Sequence, residues 1–128
     1  MAIRIVRLGS PRLPGEGLRV GTVRHPPRGV PKERFAKDDW YDVWLPVLSP
    51  SAALVHAAQE ATTDRAWAAF RRRYRSEMRA PEPRQALALL AALSRTTNLS
   101  VGCYCADESR CHRSVLRDIL AEAGADVR

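Results

Sequence analysis

Residues 99–124, LSVGCYCADESRCHRSVLRDILAEAG, carry the clearest indication of the fold. The segment Leu99–Cys105 is short and mostly apolar, which predicts a β-strand. Ser109 is then expected to cap a helix that buries an apolar face, and Gly124 stands where helices commonly end. A strand, a loop and a helix in this order form half of an α/β unit, so we expect a parallel sheet.

Two further strands are predicted near the start of the chain. Ala2–Leu8 and Leu18–Arg24 both alternate between apolar and other side chains, which is typical of strands. The proline-rich segment His25–Pro31 follows and excludes a regular helix or a central strand, so it predicts a stiff loop.

Three helices are predicted between these strands and the last one. Ser49 as cap and Pro50 in the first turn begin a helix that runs to about residue 61, and Thr63 caps the second helix. The third helix is expected from about Pro83 to Arg95. The expected buried positions are Trp67, Phe70, Tyr74 and Met78 in the second helix and Ala86, Leu87, Leu90 and Leu93 in the third. The whole order predicts a small single-domain α/β sandwich over residues 1–128, with a mainly parallel sheet and helices packed around it.

The composition fits a globular protein and excludes several classes. The chain has 128 residues, of which 45% are hydrophobic and 27% are charged. Its longest uncharged run, Val43–Gln59, is interrupted by prolines and is too short to span a membrane. The N-terminus lacks the apolar core of a signal peptide. We therefore expect a cytoplasmic protein whose three cysteines are reduced.

The charge is strongly basic and unevenly distributed. The chain carries a net charge of +7, which suggests an anionic partner such as a small phosphate compound or a nucleic acid. Residues 1–37 and 65–84 are basic, whereas residues 38–64 carry acidic side chains and no lysine or arginine. The two basic segments either meet as one positive face, or Asp38, Asp39 and Asp42 neutralise some of the arginines.

The largest cluster of potentially functional side chains follows the last predicted strand. Arg110, Cys111, His112 and Arg113 fall in the expected first turn of the final helix. Open α/β sheets bind ligands beyond the carboxyl ends of their strands, and a helix N-terminus there presents free N–H groups and partial positive charge. These residues therefore predict a site for a phosphate or a nucleotide.

The same residues allow three other interpretations. Cys103, Cys105, Cys111 and His112 offer the ligand types that zinc or iron prefer, although their spacing is not that of a standard structural zinc site. Alternatively, Cys105 faces the helix N-terminus as a nucleophile of lowered pKa, with His112 as the second candidate catalytic residue. In the third interpretation, Cys103 and Cys111 pack only as small hydrophobic side chains.

A second basic loop follows the second predicted strand. If that strand is parallel to the last one, Arg24 and Arg28 lie at the same edge of the sheet as His112 and Arg113. The run Arg71–Arg73 is compatible with a nucleic-acid-binding surface or with a solvated helix face.

Several stretches of the chain also carry a family resemblance. They are Arg24–Lys32 (RHPPRGVPK), Asp39-Trp40, Leu48–Ser51, Trp67–Glu77 (WAAFRRRYRSE) and, in a version with Cys-His-Arg, Cys105–Leu116. Together they resemble the YeaO-like domain of unknown function, family 488, over roughly residues 20–120. The resemblance implies an α/β fold in a cytoplasmic protein and names no reaction. The positions it singles out are Arg24, Arg28, Trp40, Tyr74, Glu77, Cys105, His112 and Arg113.

Members of the YeaO-like branch can carry other residues at the cysteine and histidine positions, which leaves an anion site as the shared property. We therefore hypothesise that Arg24, Arg28, His112 and Arg113, with Arg110 beside them, bind a phosphate or carboxylate. Glu77 is expected to orient one arginine through a bidentate pair. Whether the site is catalytic stays open at this point.

Overall fold

The segment Leu99–Cys103 forms the central strand of the sheet, and all five of its residues are buried. The computed structural model describes residues 1–105, 107 and 110–128. In these residues the strands are β1 (Ile3–Arg7), β2 (Leu18–Gly21), β3 (Val43–Trp44) and β4 (Leu99–Cys103). They form one sheet in the order β1-β4-β2-β3, and all neighbours are parallel. The predicted α/β class with a parallel sheet is confirmed.

Four helices accompany the sheet. They are α1 (Ala52–Gln59), α2 (Asp64–Glu77), α3 (Pro81–Leu93) and α4 (His112–Glu122). The predicted cap of α2 is confirmed, because the side chain of Thr63 accepts a hydrogen bond from the N–H of Ala66 at 3.1 Å. The predicted start of α1 is wrong by two residues. Ser51 caps α1, whereas the hydroxyl of Ser49 donates to the carbonyl of Pro46 and closes a preceding 3-10 turn.

The other two helices also differ from the prediction at their ends. Helix α3 begins at Pro81, since proline is tolerated in a first helical turn, and Leu93 in its last turn is 37% exposed. Helix α4 begins at His112 with Cys111 at the N-cap, so Arg110 and Cys111 precede the helix. Ser109, the predicted cap, lies outside the described residues.

The helices share one apolar core with the sheet. Buried side chains of β1, β2 and β4 pack in this core against all four helices. The members with no more than 2% exposure are Ile3, Leu48, Leu54, Tyr74, Leu99, Val101, Val115, Leu116 and Leu120. Because strand side chains alternate, Ser100 points away from this core. On the other face of the sheet its hydroxyl donates to Glu16, which also accepts a hydrogen bond from Arg19.

The acidic segment lies at the edge of the sheet and neutralises nearby arginines. Asp42 and Asp39 both pair with Arg12, and Asp38 pairs with Arg34. The same segment contributes β3, a two-residue strand that the sequence did not predict because two residues show no periodicity. In the described part of the chain, no helix has the length and apolar character needed to cross a membrane.

Candidate ligand-binding site

A cavity of about 860 Å³ lies beyond the carboxyl ends of β1, β2 and β4. Its walls come from the ends of these strands and the segments that follow them, from Trp40 and Pro50, and from α1 and the first residue of α4. The lining includes Arg7, Gly9, Ser10, Val23, Arg24, His25, Pro26, Arg28, Trp40, Pro50, Val55, Cys103, Tyr104, Cys105 and His112. This volume falls within the range of about 300–1,000 Å³ that is usual for small-molecule sites.

The cavity has a strongly positive lining. Arg7, Arg24 and Arg28 all line it, whereas no aspartate or glutamate does so among residues 1–105, 107 and 110–128. Arg28 is exposed and makes no ion pair within that part of the chain, and Arg7 is held by a 3.3 Å hydrogen bond from its Nε to the carbonyl of Tyr104. Three guanidinium groups that share a cavity with no carboxylate of the described residues favour an anionic ligand.

Arg24 is fixed by the loop that precedes α1. Its Nε and Nη2 donate to the carbonyl of Pro50 at 3.1 and 2.9 Å, and Nη2 also reaches the carbonyl of Ser49 at 3.4 Å. These bonds orient the planar guanidinium group, and Nη1 makes no hydrogen bond to the described residues. Because the guanidinium group of Arg24 is already ordered, its Nη1 can donate to a ligand without a further loss of side-chain freedom.

Helix α2 holds the same loop from the other side. The hydroxyl of the buried Tyr74 donates to the carbonyl of Leu48 at 2.6 Å. The carboxylate of Glu77 accepts the N–H of Ser51 at 2.8 Å and its hydroxyl at 2.6 Å. The prediction that Glu77 pairs with an arginine is therefore wrong. Its carboxylate binds the N-cap of α1, where an acceptor satisfies a helix-terminal N–H group.

The two arginines that flank the start of α4 do not line the cavity. Arg110 reaches α2, where its Nη2 donates to Asp64 at 2.6 Å. Arg113 is only 4% exposed, and its Nη2 donates to the carbonyl of Cys105 at 2.6 Å. Arg113 thus acts on the backbone at the cavity wall, whereas His112 between these two arginines does line the cavity.

Cys105 lines the cavity but does not have the environment that a thiolate nucleophile needs. Cys105 is an exposed residue that lies beyond the end of β4. Desolvation raises the pKa of its thiol, and the positive charges of Arg113 and Arg7 offset that effect only in part. The expectation of a lowered pKa is therefore wrong.

The other two cysteines lie together with His112. The structure joins the sulfur atoms of Cys103 and Cys111, although the sequence led us to expect reduced cysteines, and the Cα atoms are 7.9 Å apart. Nδ1 of His112 is 3.8 Å from the sulfur of Cys111. Of the four predicted metal ligands, the structure brings these three together, and Cys105 is not part of the group.

The ring of His112 is held in one orientation by β2. Its Nε2 is 2.9 Å from the carbonyl oxygen of Thr22, and an oxygen of this type can only accept a hydrogen bond. Nε2 therefore carries the proton, and Nδ1 has a free lone pair on the side of Cys111. Burial of the ring lowers the pKa of His112 to about 4, and the charge of Arg113 acts in the same direction.

The local patterns of the sequence did not assign two parts of the site. Arg7 ends β1, and the rule that parallel strands end at one edge of the sheet would have placed it beside Arg24. Trp40 forms an aromatic wall with Tyr104, with ring centroids 5.9 Å apart and an angle of 76° between the rings. The family resemblance singled out Trp40, but no local pattern in the sequence connects it with these loops.

A buried ion pair holds the loop that carries this wall. Arg19 and Glu16 pair at 2.8 Å with side chains 0% and 1% exposed. Nη1 of Arg19 also donates to the carbonyls of Ser10 and Asp39 at 2.8 and 2.7 Å. The pair therefore joins the segment after β1 to the segment before Trp40, and both segments line the cavity.

Comparison with known proteins places the chain in a family. No curated protein and no solved structure matches the chain. The family model described as the active DUF488-N3 subclade matches residues 3–124, which include every strand, every helix and the whole cavity lining. The chain therefore belongs to the DUF488 family of YeaO-like domains.

Proposed function

We propose that the cavity binds a small anionic ligand, with a phosphate or carboxylate on its arginines and an apolar or aromatic part against its walls. One observation carries the proposal: three arginines and no carboxylate of the described residues line a cavity of about 860 Å³. A nucleotide combines both chemical features and is the ligand class that we favour. The proposal also assumes the cytoplasmic location expected from the sequence.

The walls support a ligand with a flat apolar part. Trp40 and Tyr104 lie on one side, and Pro26, Pro50 and Val55 add apolar surface. Aromatic and apolar walls with a few oriented polar groups are typical of small-molecule sites. Since bases stack on aromatic side chains, these walls suit a nucleobase better than a simple inorganic ion.

The test is calorimetric titration of the protein with inorganic phosphate, nucleoside monophosphates and nucleoside diphosphates. Arg28 is the most informative residue to remove, because it is exposed and makes no ion pair with the residues that the structure describes. We expect Arg28→Ala to weaken binding roughly 10- to 100-fold, the usual loss for a charged hydrogen bond. Arg72→Ala removes the same charge from an exposed position of α2 outside the cavity lining and serves as the matched control.

Equal affinities of Arg28→Ala, Arg72→Ala and the unchanged protein would contradict the proposal. A single-stranded oligonucleotide is titrated in parallel at several salt concentrations. Tight oligonucleotide binding that falls steeply with salt, and is lost in Arg72→Ala rather than Arg28→Ala, would instead favour the exposed arginines of α2 as a nucleic-acid surface.

A further inference from the structure

Cys103, Cys111 and His112 form a side-chain cluster that the anion-binding proposal does not use. Their two sulfur atoms and one ring nitrogen all lie within 4.8 Å of one another. We propose that these three residues hold a divalent metal ion of the zinc class at the border of the cavity. The metal site requires only these three side chains, whatever molecule the cavity binds.

The distance between Cys111 and His112 agrees with a tetrahedral site. Zinc lies about 2.3 Å from sulfur and about 2.0 Å from nitrogen, which places a sulfur and a nitrogen ligand about 3.6 Å apart. The observed distance between Sγ of Cys111 and Nδ1 of His112 is 3.8 Å. A small adjustment of side chains therefore suffices to bring these two atoms onto one ion.

The orientation of His112 also suits a metal ligand. Its Nε2–H group donates to the carbonyl of Thr22 at 2.9 Å, which leaves the Nδ1 lone pair directed toward the sulfurs. A hydrogen bond from the outer ring nitrogen to a carbonyl is the usual support of a metal-bound histidine. The hydroxyl of Thr22 donates to the carbonyl of Gly102 at 3.0 Å, so at His112 it can only accept and reinforces the same tautomer.

The backbone spacing of the cysteines favours a metal over a direct sulfur–sulfur bond. Their Cα atoms are 7.9 Å apart, whereas disulfides usually span roughly 4.4–6.8 Å. Two sulfurs on one zinc ion are about 3.8 Å apart, which is wider than a disulfide by about 1.8 Å. The Cα separation of 7.9 Å therefore leaves room for a bridging ion once the two sulfur atoms move apart from the contact that the structure gives them.

Burial explains why an ion would stabilise these side chains. Cys103 and Cys111 are 1% and 3% exposed, and two buried thiolates need a compensating charge, which a divalent cation supplies. Cys103 and His112 line the cavity. The bound ion would therefore border the cavity, and its fourth position would take a water molecule or the anionic group of the cavity ligand.

The test uses the full chain, reduced with a phosphine, freed of metal with a chelator and titrated anaerobically with cobalt(II) alone. We expect stoichiometric binding, with a sulfur-to-cobalt charge-transfer band in the near ultraviolet and the visible bands of tetrahedral cobalt. Cys111→Ser and His112→Ala should each lose these bands or weaken binding at least 10-fold. Cys105→Ser removes a thiol outside the cluster and should keep both the bands and the stoichiometry.

The results of this titration distinguish failure of the metal site from failure of the proposed anion site. If the reduced unchanged protein gives no charge-transfer band, the inference is overturned, and this result needs no variant to fold. Equal loss in Cys105→Ser and Cys111→Ser would overturn the three-ligand assignment. Because cobalt is titrated without any anion ligand, and Arg28→Ala should retain full cobalt binding, failure here leaves the proposed anion site untouched, and the reverse also holds.

Discussion

Gly9 shows how one residue shapes the cavity. Its φ angle is +90°, and a Cβ atom at this position would lie 3.0 Å from Cζ3 of Trp40. Side chains rarely adopt that backbone conformation, and the indole ring occupies the space where a methyl group would stand. The aromatic wall of the cavity therefore depends on the absence of a side chain at residue 9.

We predict that Gly9→Ala lowers the free energy of unfolding by about 1–3 kcal/mol, the usual cost of a strained backbone conformation. Gly124→Ala is the matched control, because Gly124 has a φ angle of +93° with nothing within 4 Å of the added Cβ. Both variants should lose stability in urea unfolding, but only Gly9→Ala should also change tryptophan fluorescence and ligand affinity. Identical effects of the two substitutions on affinity would show that Trp40 does not form the ligand wall.

The sequence predicted the location of some single residues correctly. Arg24 and Arg28 were expected at the carboxyl edge of the sheet, and the structure places both in the cavity lining. Glu77 was assigned an arginine partner because local spacing cannot show that the N-cap of α1, 26 positions away, offers two donors to its carboxylate. Arg113 was expected to face a ligand, but the depth at which a side chain is buried is a property of the packed fold.

Among the secondary structure elements, α1 receives its N-terminal support from α2. The carboxylate of Glu77 accepts both the N–H and the hydroxyl of Ser51, and that hydroxyl accepts the N–H of Leu54. Arg24 binds the carbonyls just before this cap. Glu77 is therefore a positioning residue for the loop that orients Arg24.

We predict that Glu77→Gln destabilises the protein by about 1–2 kcal/mol, since an amide offers fewer acceptor sites to Ser51. Ser51→Ala should cost a similar amount. The double variant should lose clearly less than the sum, because both changes remove the same hydrogen bond. Strict additivity in a double-mutant cycle measured by urea unfolding would contradict this account of the cap.

The buried pair of Glu16 and Arg19 predicts a dependence of stability on pH. Burial by itself would raise the pKa of Glu16, but hydrogen bonds from Arg19, Ser100 and Leu13 outweigh it and lower the pKa to about 2. A lowered pKa in the folded state stabilises the protein above the ordinary pKa of 4.5, and this contribution disappears as the pH falls from 4.5 to about 2.

We predict that Glu16→Gln costs about 3–5 kcal/mol at neutral pH, because it leaves the fully buried Arg19 without its counter-charge. The difference from the unchanged protein should shrink as the pH falls from 4.5 to about 2, because Glu16 takes up a proton in the unfolded chain before it does so in the folded protein. Urea unfolding of both proteins across this pH range measures the difference directly. A difference that stays constant down to pH 2 would be incompatible with a charged, hydrogen-bonded Glu16.

At the scale of the whole molecule, stability is expected to be highest at the centre of the sheet. Strand β4 is fully buried between β1 and β2, whereas the loop from His25 to Val30 is exposed at most of its positions. We predict by hydrogen exchange that amides of β4 open only in global unfolding and that amides of the loop exchange much faster. A ligand in the cavity should slow exchange in this loop, and equal protection of loop and β4 without ligand would contradict the prediction.

The overall architecture was predictable because long segments with a regular spacing of apolar residues indicate their own secondary structure. Helix α2 shows this best. Of the predicted apolar stripe, Phe70, Tyr74 and the C-cap residue Met78 are buried as expected, and Trp67 is partly buried against the core. The strand order was not predictable, because β1 and β2 are neighbours in the chain but are separated by β4 in the sheet. The cavity forms where three such distant segments end, so its full set of walls could be read only from the folded chain.

That strand order also governs how the chain can be assembled during synthesis. Ile3 pairs with Leu99, and Leu18 pairs with the same residue from the other side. Until most of the chain has left the ribosome, β1 therefore lacks its neighbour β4, and β2 has only the two-residue strand β3 beside it. Such non-local pairing implies high contact order and slow folding. Until β4 emerges, β1 and β2 present unpaired edges that invite intermolecular pairing. The nascent protein is therefore expected to depend on chaperones more than its small size would suggest.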